Sequence, residues 1–306
     1  MKIEQLYTQC LSESAYYIES NNEVAIIDPL RDVDAYIEMA KKSGSTIKYI
    51  FETHFHADFV SGHLELAHKT GAKIIYGPLA KASFDYHSAI DREVFELGDI
   101  SLTLLHTPGH TMESSCLLLK DVAGKDYCVF TGDTLFVGDV GRPDLAVKSG
   151  DITQEDLAGY LFDSLRNHLM PLADNVIVYP AHGAGSSCGK NIGSETFSTI
   201  GEQKATNYAL QPISKATFIN QVTDGLLAPP SYFFTDVMMN KKGGVQLDEI
   251  FSSNLNSLSF DQVKKSKDGK HNTRHTGKGD EHTADMRPYE FGDSLENIAM
   301  SESLKN

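Results

Sequence analysis

Four short apolar segments of this sequence each run directly into a motif that contains histidine or aspartate. β-branched and aromatic residues dominate these segments, which predicts strands over residues 47–52, 100–106, 127–130 and 175–179. The motifs that follow them occupy residues 53–58, 107–110, 131–133 and 180–183. Because an α/β fold gathers its functional side chains at the carboxyl ends of its strands, we expect the four motifs to meet at one edge.

Strand and helix patterns interleave along the first 200 residues. Further strands are predicted over residues 15–19, 23–28, 73–76 and 115–119. Helices are predicted over residues 32–43, 62–70 and 154–169, where apolar residues recur at helical spacing. This order indicates a mixed, layered α/β fold with some hairpins.

The composition of the chain changes near residue 240. We interpret residues 1–239 as the folded domain that carries the chemistry, and residues 240–306 as a linker with a truncated or degenerate tail. Residues 265–283 contain no Val, Ile, Leu, Met, Phe, Tyr, Ala or Cys. Such a stretch cannot bury enough apolar surface to offset the entropy of ordering, so it is predicted to be disordered.

The chain is acidic, with 27 Lys and Arg against 42 Asp and Glu and a formal net charge of −15. This balance argues against a nucleic-acid partner, because phosphates would be repelled. We expect no membrane partner either, since no polybasic run and no apolar segment of roughly 20 residues is present. The start of the sequence lacks a signal-peptide pattern and the four cysteines are widely spaced, which predicts a cytoplasmic protein.

The four motifs hold nitrogen and oxygen donors of the kind that transition metals bind. A lone histidine is usually structural or solvated, but four such motifs after four predicted strands favour a metal site. Two of the histidines lie two residues apart on one loop and can point into one space. The candidate ligands are His54, His56, Asp58, His110, Asp133 and His182.

Together and in this order, the motifs resemble those of the metallo-β-lactamase superfamily. They are Thr-His-Phe-His-Ala-Asp, Thr-Pro-Gly-His-Thr, Thr-Gly-Asp-Thr and Pro-Ala-His-Gly, and the resemblance covers about residues 1–235. It implies an αββα sandwich with the metal at one edge. It does not settle the function, because the superfamily includes glyoxalase II thioesterases, lactamases, nucleases and persulfide dioxygenases.

Phe59 departs from the pattern of the two-metal members of this superfamily. Those members carry the motif HxHxDH, and the residue after Asp58 is a second-site ligand, whereas a phenyl ring cannot bind a metal. The sequence therefore predicts a single metal. His54, His110 and Asp133 then form a two-histidine, one-carboxylate set, which is typical of non-haem Fe(II) oxygenases.

Among the subfamilies, the chain most resembles the persulfide dioxygenases, in residues 52–58, 141–144 and 179–182. Residues 57–63, Phe59 included, are similar to the bacterial fusions of this enzyme with a rhodanese domain. The resemblance implies one Fe(II) per chain on His54, His110 and Asp133. His56, Asp58 and His182 would lie near the metal as hydrogen-bonding partners or alternative ligands.

The activity that this resemblance implies is oxidation of a thiol persulfide, with O2 and water, to sulfite and the free thiol. Its partners would be a small-molecule thiol persulfide and O2, with glutathione, coenzyme A and other thiols left open as carriers. Relatives commonly form oligomers, which implies a homo-oligomer. No cysteine follows Cys188 and the tail is shorter than a domain, so no sulfurtransferase activity is expected.

Two further residues are candidates for positioning the substrate. The planar guanidinium of Arg142 suits an anionic group, although a surface arginine is an equally good interpretation of the residue alone. Tyr179 could line the pocket or pack in the core. Cys116 and Cys128 lie in apolar strands and are predicted to be buried, whereas Cys188 follows His182 in a Gly- and Ser-rich loop and could be exposed.

The alternative function is a zinc-dependent thioester hydrolase of the glyoxalase II type. Zinc would then replace iron as the metal. Phe59 discriminates between the two activities, since a dinuclear hydrolytic site would need histidine at that position.

Overall fold

The computed structural model describes residues 1–145 and 152–243, and these residues form two β-sheets. The strands of the first sheet are β1 Lys2–Thr8, β2 Glu13–Ser20, β3 Glu23–Ile27, β4 Thr46–Glu52, β5 Lys73–Tyr76 and β6 His87–Ser88. The strands of the second sheet are β7 Val94–Leu97, β8 Ile100–His106, β9 Ser115–Lys120, β10 Asp126–Gly132, β11 Ile177–Pro180 and β12 Ser198–Thr199.

Both sheets mix parallel and antiparallel pairs. In the first sheet the strands lie in chain order, β1 to β3 pairing antiparallel and β3 to β6 pairing parallel. The second sheet has the order β12-β11-β10-β9-β8-β7, in which β10 and β11 are parallel. Parallel neighbours end at the same edge, so the loops after β3 and β4, and those after β10 and β11, are brought side by side.

Alternation along the strands builds the core between the two sheets. Tyr16 and Ile18 of β2 face Phe130 of β10 across this space, and all three are almost fully buried. Their neighbours Ala15 and Tyr17 point to the opposite face of the first sheet, where they pack in another cluster. Successive side chains point to opposite faces of the first sheet, and both faces are therefore buried.

Helices cover the outer faces of both sheets. The helices are α1 Asp34–Ser43, α2 His63–Thr70, α3 Gln154–Ser164, α4 Ile200–Thr206, α5 Lys215–Thr223 and α6 Phe233–Lys242. Tyr36 of α1 and Leu66 of α2 pack on the first sheet, whereas Leu161 of α3 and Phe218 of α5 pack on the second. These layers form the expected αββα sandwich. Within the described ranges, no helix has both the length and the apolar character to cross a bilayer.

The domain boundary predicted at 239/240 falls inside α6. Asn240 is buried and hydrogen-bonds to the loop that follows β4, so the packed part of the chain continues at least to Gly243. Periodicity gave no sign of this contact, because the residues it joins are far apart in sequence. The segment predicted to be disordered, residues 265–283, lies outside the described residues.

Candidate metal centre

His54, His110 and Asp133 converge at the edge where the strand ends meet. The Nε2 atoms of His54 and His110 lie 3.7 Å and 3.4 Å from Asp133 Oδ2. All three residues are buried, and one donor atom from each falls within 4.8 Å of the others. The sequence predicted that these strand-end side chains would gather, and the structure brings them together.

Hydrogen bonds fix which ring nitrogen each histidine presents to this space. Thr53 Oγ1 donates to Asp28 Oδ2 over 2.8 Å and lies 3.0 Å from His54 Nδ1. Since a hydroxyl has one proton, His54 Nδ1 must be the donor to Thr53, and Nε2 keeps its lone pair. His110 Nδ1 donates to the Arg142 carbonyl oxygen over 2.8 Å, which leaves its Nε2 lone pair free in the same way. Both imidazoles are therefore oriented as metal ligands.

A second pair of donors adjoins Asp133 on its other side. His182 Nε2 lies 3.5 Å from Asp133 Oδ1 and 3.4 Å from Asp58 Oδ2. His182 Nδ1 lies 3.2 Å from the Ser12 carbonyl oxygen and donates to it, so Nε2 again carries the lone pair. Asp133 thus turns one oxygen towards His54 and His110 and the other towards His182.

Burial leaves several of these polar atoms without a hydrogen-bond partner. Both carboxylate oxygens of Asp133, His182 Nε2 and Asp58 Oδ1 are buried and unpaired. Burial, followed by the neighbouring histidines His56, His110 and His182, lowers the pKa of His54 well below its usual value, so the ring is the neutral form that a metal requires. Unpaired buried oxygens and lone pairs are costly unless a cation satisfies them, and the residues present fit a metal ion.

His56 lies outside the set of His54, His110 and Asp133, but one of its donor atoms falls within 4.8 Å of donor atoms of Asp58 and His182. Its Nε2 lies 3.1 Å from Asp28 Oδ1 and 3.7 Å from Glu52 Oε2, and the Phe59 ring covers it at a centroid distance of 4.3 Å. Burial alone would lower the pKa of His56, but Asp28 and the other nearby carboxylates outweigh it and raise the pKa to about 10. His56 is therefore both a neighbour of the buried carboxylates of Asp28 and Glu52 and a candidate ligand beside Asp58 and His182.

Comparison with known proteins gives the family. A sequence profile described as the metallo-beta-lactamase superfamily matches residues 8–182, which is more than half of the chain. The chain belongs to the metallo-β-lactamase superfamily. A second profile, described as the third domain of Rv0959-like protein, matches residues 281–306, outside the described part of the chain.

Relatives within this superfamily carry more than one activity. A protein of Schizosaccharomyces pombe named as a hydroxyacylglutathione hydrolase, glo2, is 32% identical over 57% of this chain and 64% of its own length. The persulfide dioxygenase ETHE1 of Bos taurus is 27% identical over 74% of this chain and 81% of its own length. A crystal structure of a metallo-β-lactamase from Staphylococcus aureus is 37% identical, with a TM-score of 0.76 over 80% of this chain and 74% of that one.

These relatives assign the chain to a superfamily of metal-dependent enzymes without choosing the reaction. The chain spans 64% and 60% of the lengths of the two S. pombe hydrolases that it matches. The likeness to a hydrolase and to a dioxygenase is of similar strength, so the choice between them depends on the site itself.

The guanidinium of Arg142, which the sequence predicts to hold an anionic group of the substrate, is paired within the chain. Its side chain is buried and makes a bidentate pair with Asp144, with Nε to Oδ1 at 3.0 Å and Nη2 to Oδ2 at 2.7 Å. The guanidinium also donates to the carbonyl oxygens of Ser187 and Leu227. Arg142 therefore joins three segments of this metallo-β-lactamase fold, while its own carbonyl orients His110.

The ring of Tyr179 packs against other aromatic side chains. Its ring stacks on Phe130 at 5.5 Å and contacts Tyr16 at 5.5 Å, within the core between the two sheets. Alternation along β11 explains this, because Val178 points to the helix-covered face and Tyr179 to the opposite one. Packing, which the sequence left open as the second interpretation, is the role that the contacts support.

Cys188 lies beside the metal ligands and is buried, whereas the sequence suggested an exposed thiol. One donor atom each of Asp133, His182 and Cys188 falls within 4.8 Å of the others. Burial, then the carboxylates of Asp58 and Asp133, raises the pKa of the Cys188 thiol well above its usual value. Cys116 and Cys128 are buried in strands, as predicted.

Asn240 is a residue of the site that the sequence did not reveal. Its Nδ2 donates to the carbonyl oxygens of His56 and Phe59 over 2.9 Å and 2.8 Å, and its Oδ1 accepts from the backbone N–H of Ser61. Asn240 therefore fixes the loop that carries His54, His56 and Asp58. Nothing in the local sequence around an asparagine in a helix signals such a contact.

Replacing Thr53 by valine is expected to weaken metal binding about 10- to 100-fold. Valine keeps the shape of the side chain but removes the oxygen that accepts from His54 Nδ1 and donates to Asp28. Thr53→Ser keeps that oxygen and should keep wild-type affinity. Competition with a coloured chelator measures both variants, and wild-type affinity in Thr53→Val would show that this hydroxyl does not orient His54.

Proposed function

We propose that this chain is a mononuclear non-haem iron dioxygenase that oxidises a low-molecular-weight thiol persulfide to sulfite and the free thiol. The observation that carries the proposal is the convergence of His54, His110 and Asp133 in a site where Phe59 replaces a second-site ligand. Two imidazoles and one carboxylate leave three coordination positions open on Fe(II), which suits a metal that must hold two reactants.

The reaction balances without a further reductant. One persulfide, one O2 and one water give one thiol, one sulfite and two protons. The S–S bond breaks, the outer sulfur is oxidised, and O2 accepts the electrons that it loses. Bound Fe(II) would supply the redox chemistry and hold the sulfur beside O2, so that the two react as neighbours.

The surrounding residues orient the ligands and shield them from water. Thr53 and the Arg142 carbonyl hold the Nε2 atoms of His54 and His110 towards one point. A small apolar cluster adjoins Asp133 and His182, and its buried members are Ala57, Phe136, Cys188 and Phe233. This wall favours a compact, weakly polar group such as a persulfide sulfur over bulk water.

Two observations support iron in preference to a dinuclear hydrolytic site. Among the described residues, His56 is grouped with Asp58 and His182 and not with His54, His110 and Asp133, so those groups do not place three histidines on one metal. Phe59 provides no ligand for the neighbouring position. The ETHE1 relative named as a persulfide dioxygenase, which matches this chain over 81% of its own length, supports the same assignment.

A zinc-dependent thioester hydrolase of the glyoxalase II type is the second candidate. It is favoured by the likeness to the S. pombe protein named as a hydroxyacylglutathione hydrolase. It is also favoured by Asp58 and His182, which place two more donors next to Asp133.

A comparison of iron-loaded and zinc-loaded protein tests the two functions side by side. Each form is given glutathione persulfide and, separately, S-lactoylglutathione. The proposal predicts oxygen uptake with the persulfide by the iron form alone, and no appreciable thioester hydrolysis by either form. Hydrolysis of S-lactoylglutathione by the zinc form, with no oxygen uptake by the iron form, would instead establish the hydrolase.

A further inference from the structure

A cavity of about 210 Å³ lies outside the candidate metal centre, at the carboxyl end of β8. It is lined by Asp91, His106, Pro108, Tyr160, Asp163, Ser164, Asn167 and His168. None of these residues belongs to the groups of potential metal ligands found among the described residues. The volume suits a small molecule, since pockets for drug-sized ligands are about 300–1,000 Å³. The proposed reaction makes no use of this cavity.

One wall of the cavity comes from a single face of α3 and of the turn that follows it. Its lining residues recur at intervals of three and four, and they are Tyr160, Asp163, Ser164, Asn167 and His168. After Ser164 the chain continues as a π-helical turn over Leu165–Leu169, in which the Met170 N–H donates to the Leu165 carbonyl oxygen over 2.9 Å. Such turns are rare and are frequent at functional sites, which favours a role for this face in binding.

The opposite wall is formed by the end of β8 and the loop after it, which carries a metal ligand. Ser164 Oγ donates to the Pro108 carbonyl oxygen over 2.7 Å and so joins the two walls. The His106 N–H donates to Asp91 Oδ1, and its ring Nε2 donates to the Met112 carbonyl oxygen, both over 2.9 Å. Because Nε2 carries the proton, Nδ1 of the neutral His106 ring keeps its lone pair.

The charged side chains that line the cavity are two carboxylates, Asp91 and Asp163. Two cations act on them from outside the lining. Lys215 Nζ binds Asp163 Oδ2 over 2.6 Å, and Arg92 Nε lies 3.9 Å from Asp91 Oδ2 but belongs to an exposed side chain, which makes a weak pair. Burial, which outweighs the opposing effect of Asp91, lowers the pKa of His168, so this ring stays neutral. The lining therefore presents negative charge and lone pairs.

Tyr160 adds an aromatic surface to this lining. Its side chain is 44% exposed, so part of the ring is free to contact a bound molecule. The face of an aromatic ring attracts an ammonium group, and a carboxylate forms strong hydrogen bonds with N–H donors. A hydrated inorganic ion has no apolar part to place against Tyr160 and Pro108, whereas an organic ammonium ion has both features.

We infer that this cavity binds a small organic ammonium compound, whose N–H groups donate to Asp91 and whose carbon atoms contact the ring of Tyr160. The acidic balance of the chain, with a formal net charge of −15, favours the approach of such a cation. The inference does not depend on the proposed function, since it involves neither the metal nor the persulfide.

Titration of the full chain with ethanolamine, which is protonated at neutral pH, tests this site. The protein is loaded with Zn²⁺, because this ion is diamagnetic, and binding is followed by NMR of the imidazole resonances of His106 and His168. Ethylene glycol has a similar size without the charge, and Mg²⁺ has charge without carbon. The expected result is saturable binding of one ethanolamine per chain that shifts both resonances, which neither ethylene glycol nor Mg²⁺ should shift.

Variants of the charged residues then test how the compound is held. Asp91→Asn should weaken ethanolamine binding at least about 10-fold, because it removes the charge from the acceptor but keeps the oxygen that accepts from His106. Asp99→Asn, at the other end of β8, is the matched exposed control and should leave the affinity unchanged. Arg92→Gln should tighten binding, because it removes a cation that competes for Asp91.

Three results would overturn the inference. They are the absence of saturable ethanolamine binding, binding of ethylene glycol or Mg²⁺ in the cavity with similar strength, and unchanged affinity for ethanolamine in Asp91→Asn.

Discussion

His110→Ala is expected to lose the bound metal and to slow oxygen uptake with glutathione persulfide at least about 100-fold. His110 contributes one of the two imidazoles that face Asp133 Oδ2, and alanine leaves a buried gap where the Nε2 atom lay. Mutation of residues that hydrogen-bond to a metal ligand lowers metal affinity or activity about 10- to 100-fold. Removal of the ligand itself should lower them by at least about 100-fold. Metal analysis and an oxygen electrode measure the two effects on the same preparation.

His68→Ala is the matched control for this substitution. His68 lies on α2 with an exposed side chain, so its loss should change neither metal content nor oxygen uptake. If His110→Ala kept the metal and the activity of the unmodified protein, the ligand set of His54, His110 and Asp133 would be wrong.

Arg142→Ala is expected to lower the free energy of unfolding by about 3 kcal/mol. The substitution leaves Asp144 and the carbonyl oxygens of Ser187 and Leu227 without the guanidinium that holds them. Because the Arg142 carbonyl also orients His110, kcat should fall more than KM rises. Urea unfolding gives the stability, and steady-state kinetics separate kcat from KM.

Two further variants test whether Arg142 stabilises the fold through its pair with Asp144. Asp144→Ala removes the other half of the pair and should cost a similar amount of stability, whereas Arg92→Ala alters an exposed side chain and should cost little. Unchanged stability in Arg142→Ala, together with a large increase in KM, would instead support the role in substrate binding that the sequence predicts.

The convergence of the candidate metal ligands could be predicted from the sequence because each follows a strand whose pattern is local. His54, His110, Asp133 and His182 come directly after β4, β8, β10 and β11 or a few residues later, and strand ends share an edge whatever the rest of the chain does. The central strands and the three predicted helices could be predicted for the same reason. Edge strand β1 could not be predicted, because polar residues interrupt its sequence and its side chains are only partly buried or exposed.

Roles that depend on side-chain direction or on distant partners could not be predicted in this way. A one-residue shift of register decides whether Tyr179 faces the helices or the space between the two sheets, and no motif fixes that shift. Arg142 also donates to the carbonyl oxygens of Ser187 and Leu227, which are 45 and 85 residues away in sequence. Asn240 and Cys188 approach the candidate ligands only in the tertiary fold. Their positions therefore cannot be predicted from the spacing of residues in the sequence.

The stoichiometry of oxygen consumption distinguishes a persulfide dioxygenase from a hydrolase. Anaerobically purified, iron-loaded protein is mixed with glutathione persulfide in a closed oxygen electrode, and sulfite and free thiol are then quantified. We expect one O2 to be consumed for each sulfite and each thiol formed, with O2 consumption and both products lost in His110→Ala. Absence of oxygen uptake by protein shown to contain iron, or uptake without matching sulfite, would contradict it.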